Sequence, residues 1–364
     1  MKIPFQNFAG PYEELKEELD GAYQRFMRSG WYVLGTEVKA FEQEYAEYCE
    51  AYHCVGVGHG LDAIMLALRA CDVGPGDEVI VPSNTYIATW LAVSQLGAKI
   101  VPVEPDLSTF NIVPEKIADA VTSATKVILP VNLYGNPCDY DRIMAIALEN
   151  KCKVVIDNAQ AHGARYKGRR VGGIADVECH SFYPSKNLGA FGEAGAITTN
   201  DQAIAERIKT LRNYGSRVRY YNDEKGFNSR LDELQAAFLR VKLRKLDEWT
   251  DRRRHVATRY LESLKNIEGI TLPQTNDDAD HVWHLFVIRS LERHKLQEGL
   301  DSSGIQTLIH YPVPPHLSDA YREMAMGVGS FPIAEKLAEE VLSLPMGPFM
   351  DDSSVDAVIK SFQR

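Results

Sequence analysis

A lysine and an aspartate, each placed after a predicted strand, are the residues of this sequence best suited to chemistry. Lys186 follows a run that reads as a strand over residues 177–182, and Asp157 ends an apolar run over residues 154–156. Because the carboxyl ends of strands in one sheet can border a common pocket, we expect the two side chains to meet. A lysine amine can form a Schiff base with the aldehyde of pyridoxal phosphate (PLP), and a carboxylate can keep the pyridinium nitrogen protonated. The pair therefore predicts a PLP site.

The segments around this pair alternate short apolar strands with amphipathic helices, and two helices precede them. This alternation is typical of a mostly parallel sheet with helices on both faces. Thr36 is a plausible N-cap for the second of the preceding helices. The predicted helices are 12–28, 37–49, 61–69, 86–95, 114–121, 139–149 and 201–212, and the predicted strands are 55–57, 78–81, 99–103, 127–130, 154–157, 177–182 and 196–199.

A long helical region over residues 231–264, which we expect to bend, marks a domain boundary near residue 245. Residues 1–245 are predicted to form a large PLP-binding α/β domain. Residues 246–364 are predicted to form a smaller α+β domain with a strand over 282–289 and helices over 292–302 and 332–341. The N-terminal helices are expected to pack on the smaller domain or across a dimer.

The composition is that of a globular protein, with 45% hydrophobic and 25% charged residues. The net charge of −10 argues against a general binder of nucleic acid or of membrane surfaces, which usually presents a basic face. No export signal or membrane span is expected, so the predicted location is the cytoplasm. The six cysteines are expected to be reduced thiols, and no metal site is predicted, because Cys49, His53 and Cys54 fit a helix end followed by a strand start.

A glycine-rich turn lies between the strand at 55–57 and the helix at 61–69. Glycines and a helix N-terminus suit an anion, and with Lys186 downstream we interpret Gly60, Leu61 and Asp62 as a cradle for the PLP phosphate. A dinucleotide site is the rival interpretation, but it expects a GxGxxG pattern and an acidic residue after the next strand, whereas the spacing here is GxGxG. A plain tight turn is the third possibility.

The order of these motifs resembles the sugar aminotransferases of the DegT/DnrJ/EryC1/StrS group, which have the aspartate-aminotransferase fold (fold type I). The resemblance includes Asp157, Gln160 and Lys186. It extends over nearly the whole chain, from Gly30-Trp31 to the segment 343–346. It implies a large, mostly parallel mixed sheet flanked by helices, plus a smaller C-terminal domain. It also implies a homodimer with shared active sites.

The resemblance assigns roles to residues that have ordinary explanations when taken alone. An isolated aspartate at a strand end is more often a helix cap, and an isolated tyrosine more often packs in a core. In the family pattern Asp157 would hold the ring nitrogen, Gln160 the ring hydroxyl and Ser181 the phosphate, while Tyr86 would stack on the ring. Asn228 would reach the phosphate of the neighbouring subunit, and Lys186 would hold the cofactor and move protons. His59 and Asn158 depart from the residues that are usual at their positions.

Four further residues are candidates for substrate binding. Tyr183 adjoins Lys186, and Arg219 belongs to a basic, tyrosine-rich loop that would otherwise be read as a mobile surface loop. His310 and Tyr311 lie in a segment similar to the family's Ile-His-Tyr-Pro motif, although a lone histidine is usually a satisfied polar group. His310 and Tyr311 would face the sugar or its phosphates, and Arg219 would make a contact across the dimer, near the nucleotide diphosphate of the substrate.

The stretch after Lys186 indicates the substrate. Residues 187–195 read Asn-Leu-Gly-Ala-Phe-Gly-Glu-Ala-Gly, which resembles the family members that act on 3-keto-6-deoxyhexoses. The implied reaction moves an amino group from L-glutamate, through pyridoxamine phosphate, to a dTDP-3-keto-6-deoxyhexose. Amination at carbon 4, or of a cyclitol, is the nearest alternative. A dehydratase would carry histidine in place of Lys186, and a non-catalytic regulatory relative would be expected to lose Lys186 or Asp157.

Overall fold

The computed structural model describes residues 2–363 of the chain, which form fifteen strands, thirteen α-helices and three 3₁₀ helices (Leu133–Gly135, Pro315–Leu317 and Asp319–Met324). The strands are β1 (His53–Val57), β2 (Glu78–Pro82), β3 (Lys99–Val103), β4 (Thr125–Ile128), β5 (Lys153–Asp157), β6 (Arg165–Tyr166), β7 (Arg169–Arg170), β8 (Val177–Ser181), β9 (Gly195–Thr199), β10 (Ser216–Val218), β11 (Tyr221–Asn222), β12 (Ile270–Thr271), β13 (Ala279–Asp280), β14 (Phe286–Ser290) and β15 (Val341–Leu344). The helices are α1 (Gly10–Glu14), α2 (Lys16–Ser29), α3 (Thr36–Tyr48), α4 (Gly60–Ala70), α5 (Ile87–Gln95), α6 (Pro114–Ala120), α7 (Tyr140–Glu149), α8 (Gln202–Leu211), α9 (Glu233–Leu243), α10 (Leu246–Leu264), α11 (Arg293–Ser302), α12 (Pro332–Glu340) and α13 (Asp352–Ser361).

Seven strands form one large sheet in the order β1-β9-β8-β5-β4-β2-β3. The pairs from β8 to β3 are parallel, whereas β9 runs antiparallel to both of its neighbours. The predicted α/β class with a mostly parallel mixed sheet is therefore confirmed. The parallel order places the ends of β5 and β8 side by side, with Asp157 opposite Cys179.

Both faces of this sheet are buried, which explains why β2 and β5 read as largely apolar runs. In β5, Val155 packs into a core on one face with residues of α4, α5 and α8, while Val154 and Ile156 pack into a second core with residues of α6 and α7. Successive side chains of a strand point to opposite faces, so each apolar residue of β5 finds a covered surface.

The C-terminal part has its own sheet and core. Strands β12, β14 and β15 are antiparallel, and their apolar side chains pack with those of α10, α11 and α13. Ile3 of the N-terminal segment pairs with Ile305, while Leu15 and Leu19 pack against α9 and Trp249. The domain division near residue 245 stays a prediction; the helical region that spans it is two helices, α9 and α10, instead of one bent helix.

Three local predictions were wrong. The single helix predicted over residues 12–28 is two helices, α1 and α2, because the backbone of Leu15 (φ −117°, ψ 21°) is not helical. Thr36 is the first residue of α3 and not its cap; the cap position is Gly35, and the buried carboxylate of Glu233 accepts the main-chain N–H groups of Gly35, Glu37 and Val38 at 2.5, 3.0 and 3.1 Å. The strand predicted from residue 282 begins only at Phe286, because Trp283 has the left-handed backbone (φ 49°) that a strand cannot accommodate. None of the helices within residues 2–363 combines the length and apolarity needed to cross a membrane.

Candidate active site

Lys186 lies in the loop that follows β8. Its main-chain N–H donates to the carbonyl oxygen of Tyr183 at 2.8 Å, and its side chain is half-buried. Burial lowers the pKa of the Lys186 amine to about 8, and the nearby Asp157 carboxylate works in the opposite direction. A lysine with such a pKa is partly neutral near pH 8, which is the form that attacks a carbonyl carbon.

Asp157 is buried at the end of β5, next to β8. Its carboxylate accepts the N–H of Ala159 at 3.0 Å and the hydroxyl of Thr89 at 3.0 Å. Burial raises its pKa, while Ala159, the Lys186 charge and Thr89 lower it. Within residues 2–363, Asp157 forms no ion pair at contact distance, so a cationic N–H group would complete its environment.

The glycine-rich turn brings the start of α4 against the end of β8. A Cβ atom added at Gly60 would lie 2.5 Å from Cβ of Ser181, so only glycine permits this approach. His59 is the N-cap of α4, and its Nδ1 accepts the N–H of Asp62 at 3.1 Å. In the described chain the N–H groups of Gly60 and Leu61 have no acceptor, which leaves two donors and the Ser181 hydroxyl at one spot.

Gln160 joins the large sheet to the C-terminal part. Its Oε1 accepts the N–H of Tyr134 at 2.6 Å, and its Nε2 donates to the hydroxyl oxygen of Tyr311 at 3.0 Å. The ring of Tyr311 lies 5.2 Å from the ring of Tyr86, between centroids. Three of the predicted site residues thus form one contiguous group.

His310 adjoins this group. Its Nδ1 lies 2.8 Å from the hydroxyl of Ser343, and its carbonyl oxygen accepts the hydroxyl of Tyr134. Burial and the Lys186 charge lower the pKa of the His310 imidazole to about 4. The imidazole is therefore neutral at physiological pH and can donate or accept a proton in a hydrogen bond without carrying charge.

The other three predicted residues lie on the surface. Tyr183 is 49% exposed. Arg219 lies in the turn between β10 and β11, above the ring of Tyr220 at 4.9 Å, and it pairs with no carboxylate in the described part of the chain. Asn228 is exposed and accepts a hydrogen bond from Arg230 at 2.5 Å. Tyr183 adjoins Lys186 through the hydrogen bond already described, whereas no hydrogen bond or ion pair of the described chain joins Arg219 or Asn228 to Lys186.

The site also contains residues that the sequence did not single out. Thr89 holds the Asp157 carboxylate, and Tyr134 fixes both Gln160 and His310. Buried His162 and His284 lie close enough to Lys186 for its charge to contribute to the lowering of their pKa values, after the larger effect of burial. A threonine inside a predicted helix is a weak signal because it is a poor helix former. The sequence pattern gives no indication of the role of Tyr134, because its hydrogen bonds to Gln160 and His310 depend on its left-handed backbone (φ 60°).

The residues present fit PLP. A buried carboxylate faces the site without a cation at contact distance within the described chain, two free N–H groups and a hydroxyl offer an anion cradle, and Lys186 has a lowered pKa. Each feature matches one part of the cofactor: the ring nitrogen, the phosphate and the aldehyde.

Comparison with known proteins decides the family. The DegT/DnrJ/EryC1/StrS aminotransferase family matches residues 13–363. The chain belongs to this family. The resemblance inferred from the motifs is thereby confirmed, and with it the PLP cofactor of an aminotransferase.

Three curated relatives match the full length of this family member. The "Erythromycin biosynthesis sensory transduction protein EryC1" of Saccharopolyspora erythraea is 53% identical, over 100% of this chain and 99% of the relative. The "dTDP-3-amino-3,4,6-trideoxy-alpha-D-glucose transaminase" of Streptomyces venezuelae is 52% identical, over 100% and 96%. The "dTDP-3-amino-3,6-dideoxy-alpha-D-galactopyranose transaminase" of Aneurinibacillus thermoaerophilus is 52% identical, over 100% and 99%.

A solved structure shares the fold of this aminotransferase. It is the crystal structure of S. venezuelae DesV in complex with a ketimine intermediate, with a TM-score of 0.97 and 50% identity over 100% of this chain and 99% of that one. The predicted fold type is therefore confirmed.

Proposed function

We propose that the protein is a PLP-dependent transaminase that moves an amino group from L-glutamate to carbon 3 of a dTDP-linked keto deoxyhexose. The observation that carries the proposal is half-buried Lys186 next to buried Asp157, each influencing the pKa of the other, in a chain that is 52% identical to two transaminases named for dTDP-3-amino sugars. The product would serve aminosugar biosynthesis, for a surface polysaccharide such as an O-antigen or for a glycosylated small molecule, in the cytoplasm.

Cofactor binding would use the residues at the ends of β5 and β8 and at the start of α4. When bound, PLP supplies an electron sink, and it carries the amino group as pyridoxamine phosphate. Asp157 would hold the ring nitrogen and Gln160 the ring hydroxyl, and Tyr86 would lie on the ring. Gly60, Leu61, Asp62 and Ser181 would surround the phosphate; the Asp62 N–H is already bonded to His59, so its part would be to support the turn.

Lys186 would act twice. Its amine would hold the cofactor, and once released it would move a proton between the substrate carbon and the C4′ carbon of the cofactor. The pKa of about 8 suits both roles, because the amine can exist neutral and charged near physiological pH.

The nucleotide sugar would be held from two sides. His310 and Tyr311 lie next to Gln160 and would face the sugar, with Tyr183 beside them. Arg219 is exposed without a carboxylate partner in the described chain, so it is available to a phosphate of a neighbouring active site. We infer a homodimer in which Asn228 and Arg219 serve the site of the partner subunit, because neither approaches Lys186 within one chain.

A regulatory role is the second candidate, since the name of the EryC1 relative includes sensory transduction. Catalysis is favoured because this chain retains Lys186, Asp157 and the open N–H groups of α4, which a protein without the reaction has no need to keep together. Amination at carbon 4 remains the nearest alternative within the same chemistry.

The test is reverse transamination. Protein with PLP is mixed with dTDP-3-amino-3,6-dideoxyglucose, its galacto epimer, or a 4-amino isomer, and the conversion of the visible absorbance of bound PLP to the near-ultraviolet absorbance of pyridoxamine phosphate is followed. Conversion by a 3-amino sugar and not by the 4-amino isomer supports the proposal. Conversion by the 4-amino isomer alone overturns the carbon-3 assignment, and absence of PLP binding by wild-type protein overturns the activity.

A further inference from the structure

A buried polar network lies directly behind the loop that carries Asp157 and Gln160. Its centre is Glu178 of β8, which is fully buried. Its carboxylate accepts hydrogen bonds from five neutral donors. These are Nδ2 of Asn158, the hydroxyl of Tyr140 (3.0 Å) and the main-chain N–H groups of Gly172 (2.7 Å), Ile174 (2.8 Å) and Ala175 (3.0 Å).

Asn158 connects this carboxylate to a third strand. While its Nδ2 donates to Glu178, its Oδ1 accepts from Nδ2 of Asn132, which follows β4. The orientations of the Asn158 and Asn132 side-chain amides are each determined by a partner that can act in only one way. The carboxylate of Glu178 can only accept, so it faces Nδ2 of Asn158, and the main-chain N–H of Cys138 can only donate, so it faces Oδ1 of Asn132 at 2.8 Å. One side chain thus ties together the loops that follow β4 and β5 and the strand β8.

The hydrogen bonds of Asn158 are connected to the site through the turn after Asn132. The carbonyl oxygen of Asn132 accepts the N–H of Gly135 at 3.2 Å, which closes a turn that directs the N–H of Tyr134 at Gln160. Because a main-chain N–H can only donate, it requires Oε1 of Gln160 as its acceptor. The amide nitrogen of Gln160 is therefore turned towards Tyr311 and the site.

We propose that Asn158 is a positioning residue: by holding the Asn132 turn against Glu178, it fixes the Gln160 amide with its nitrogen facing the ring oxygen of the cofactor. This inference rests on the proposed function, in which Gln160 contacts that oxygen. It also gives a physical reason for an amide at position 158. An alanine there would leave Glu178 with one donor fewer and Asn132 with one acceptor fewer, in a region closed to water.

The first experiment needs no cofactor. In the apoprotein of Asn158→Ala, hydrogen–deuterium exchange of the peptide that contains Tyr134 should be faster than in wild type, because the turn has lost its anchor. The control is Thr250→Val, which removes a buried hydroxyl that donates to the carbonyl oxygen of Leu246 at 2.8 Å in α10, outside the Glu178 network. The control should lose stability without a change of exchange at Tyr134.

The second experiment measures PLP affinity by titration. Asn158→Ala should bind PLP about tenfold more weakly, which is the loss of roughly one hydrogen bond. In a Gln160→Ala background, adding Asn158→Ala should change the affinity no further, because Asn158 acts through Gln160. Asn132→Ala removes the donor of the hydrogen bond between Asn132 and Asn158, and this variant replaces Asn158→Ala if Asn158→Ala does not fold.

The outcomes separate the two proposals. Wild-type protein that fails to bind PLP overturns the proposed function, while the exchange result still reports on the tie. Wild-type binding together with unchanged exchange and affinity in the folded variant overturns the positioning role. Effects of Asn158→Ala and Gln160→Ala that multiply would also overturn it, since Asn158 would then act independently of Gln160.

Discussion

The amide nitrogen of Gln160 donates a hydrogen bond to the hydroxyl oxygen of Tyr311 at 3.0 Å, across 151 residues of sequence. Gln160 belongs to the loop after β5, and Tyr311 belongs to the C-terminal segment. The bond joins the two parts of the chain. A movement of the C-terminal segment would therefore change the contacts of the loop after β5.

Lys186→Met should abolish covalent attachment of PLP. The amine that would hold the cofactor and move the proton is removed, so turnover should fall by about 10²–10⁴-fold. Mass spectrometry after borohydride reduction measures the attachment. Lys242→Met is the matched control, because burial lowers the pKa of Lys242 to about 8 as it does for Lys186, but the Lys242 amine donates to the carbonyl oxygen of Gly189. The adduct should persist in the control, and its persistence in Lys186→Met would refute the assignment.

The rate of PLP attachment should depend on pH in a way set by Lys186. Only the neutral amine attacks, so the rate should rise with pH up to about 8 and level off above it, whereas an unperturbed lysine would continue to rise towards pH ~10.4. Stopped-flow absorbance of the apoprotein mixed with PLP gives the profile.

Asp157→Asn should move that profile to lower pH. The Asp157 carboxylate raises the pKa of Lys186, so its removal leaves the lowering by burial unopposed. A profile of Asp157→Asn that coincides with wild type, or lies at higher pH, would show that the two groups are not coupled. Thr89→Val removes a donor that lowers the pKa of Asp157 but leaves the carboxylate in place, so its profile should shift less than that of Asp157→Asn.

Glu233→Ala should destabilise the fold through α3. The carboxylate caps three N–H groups at the start of this helix, and its loss should cost about 2 kcal/mol or more of the free energy of unfolding. Urea unfolding measures the loss. Asp232→Ala is the neighbouring control, because Asp232 makes no capping hydrogen bond to α9, and its effect should lie within about 0.5 kcal/mol. Equal losses in both variants would contradict the capping role.

Arg219→Ala should raise the KM for the nucleotide sugar about tenfold, the equivalent of one charge-assisted hydrogen bond. The half-reaction with glutamate should be unchanged, since this donor has no phosphate. Arg217→Ala is the control, because Arg217 lies 3.7 Å from the carboxylate of Asp223 and is already paired. An increase in KM for Arg217→Ala as large as that for Arg219→Ala would indicate a general effect of positive charge in the hairpin.

Much of the architecture could be predicted from the sequence. The runs that end at Asp157 and precede Lys186 are strands β5 and β8, and their parallel pairing brings the two residues to one edge of the sheet. The pattern succeeds because a strand buried on both faces is mostly apolar, and the helices between strands must cover those faces. The strand expected from residue 282 failed because the left-handed backbone of Trp283 leaves no mark on an apolar pattern.

The sequence by itself determined the strand and helix alternation, the reactive lysine and its carboxylate, and the order of motifs that places the chain in its family. Only the tertiary structure decided which polar groups have hydrogen-bond partners. It shows that His59 accepts the N–H of Asp62, that Tyr134 orients Gln160, and that Asn158 donates to Glu178. Local patterns of apolar residues indicate which positions are buried and whether the chain has the period of a strand or of a helix, and both properties are set by residues close in sequence. Hydrogen-bond partners and pKa shifts depend on groups brought together from distant segments, so their assignment requires the folded chain.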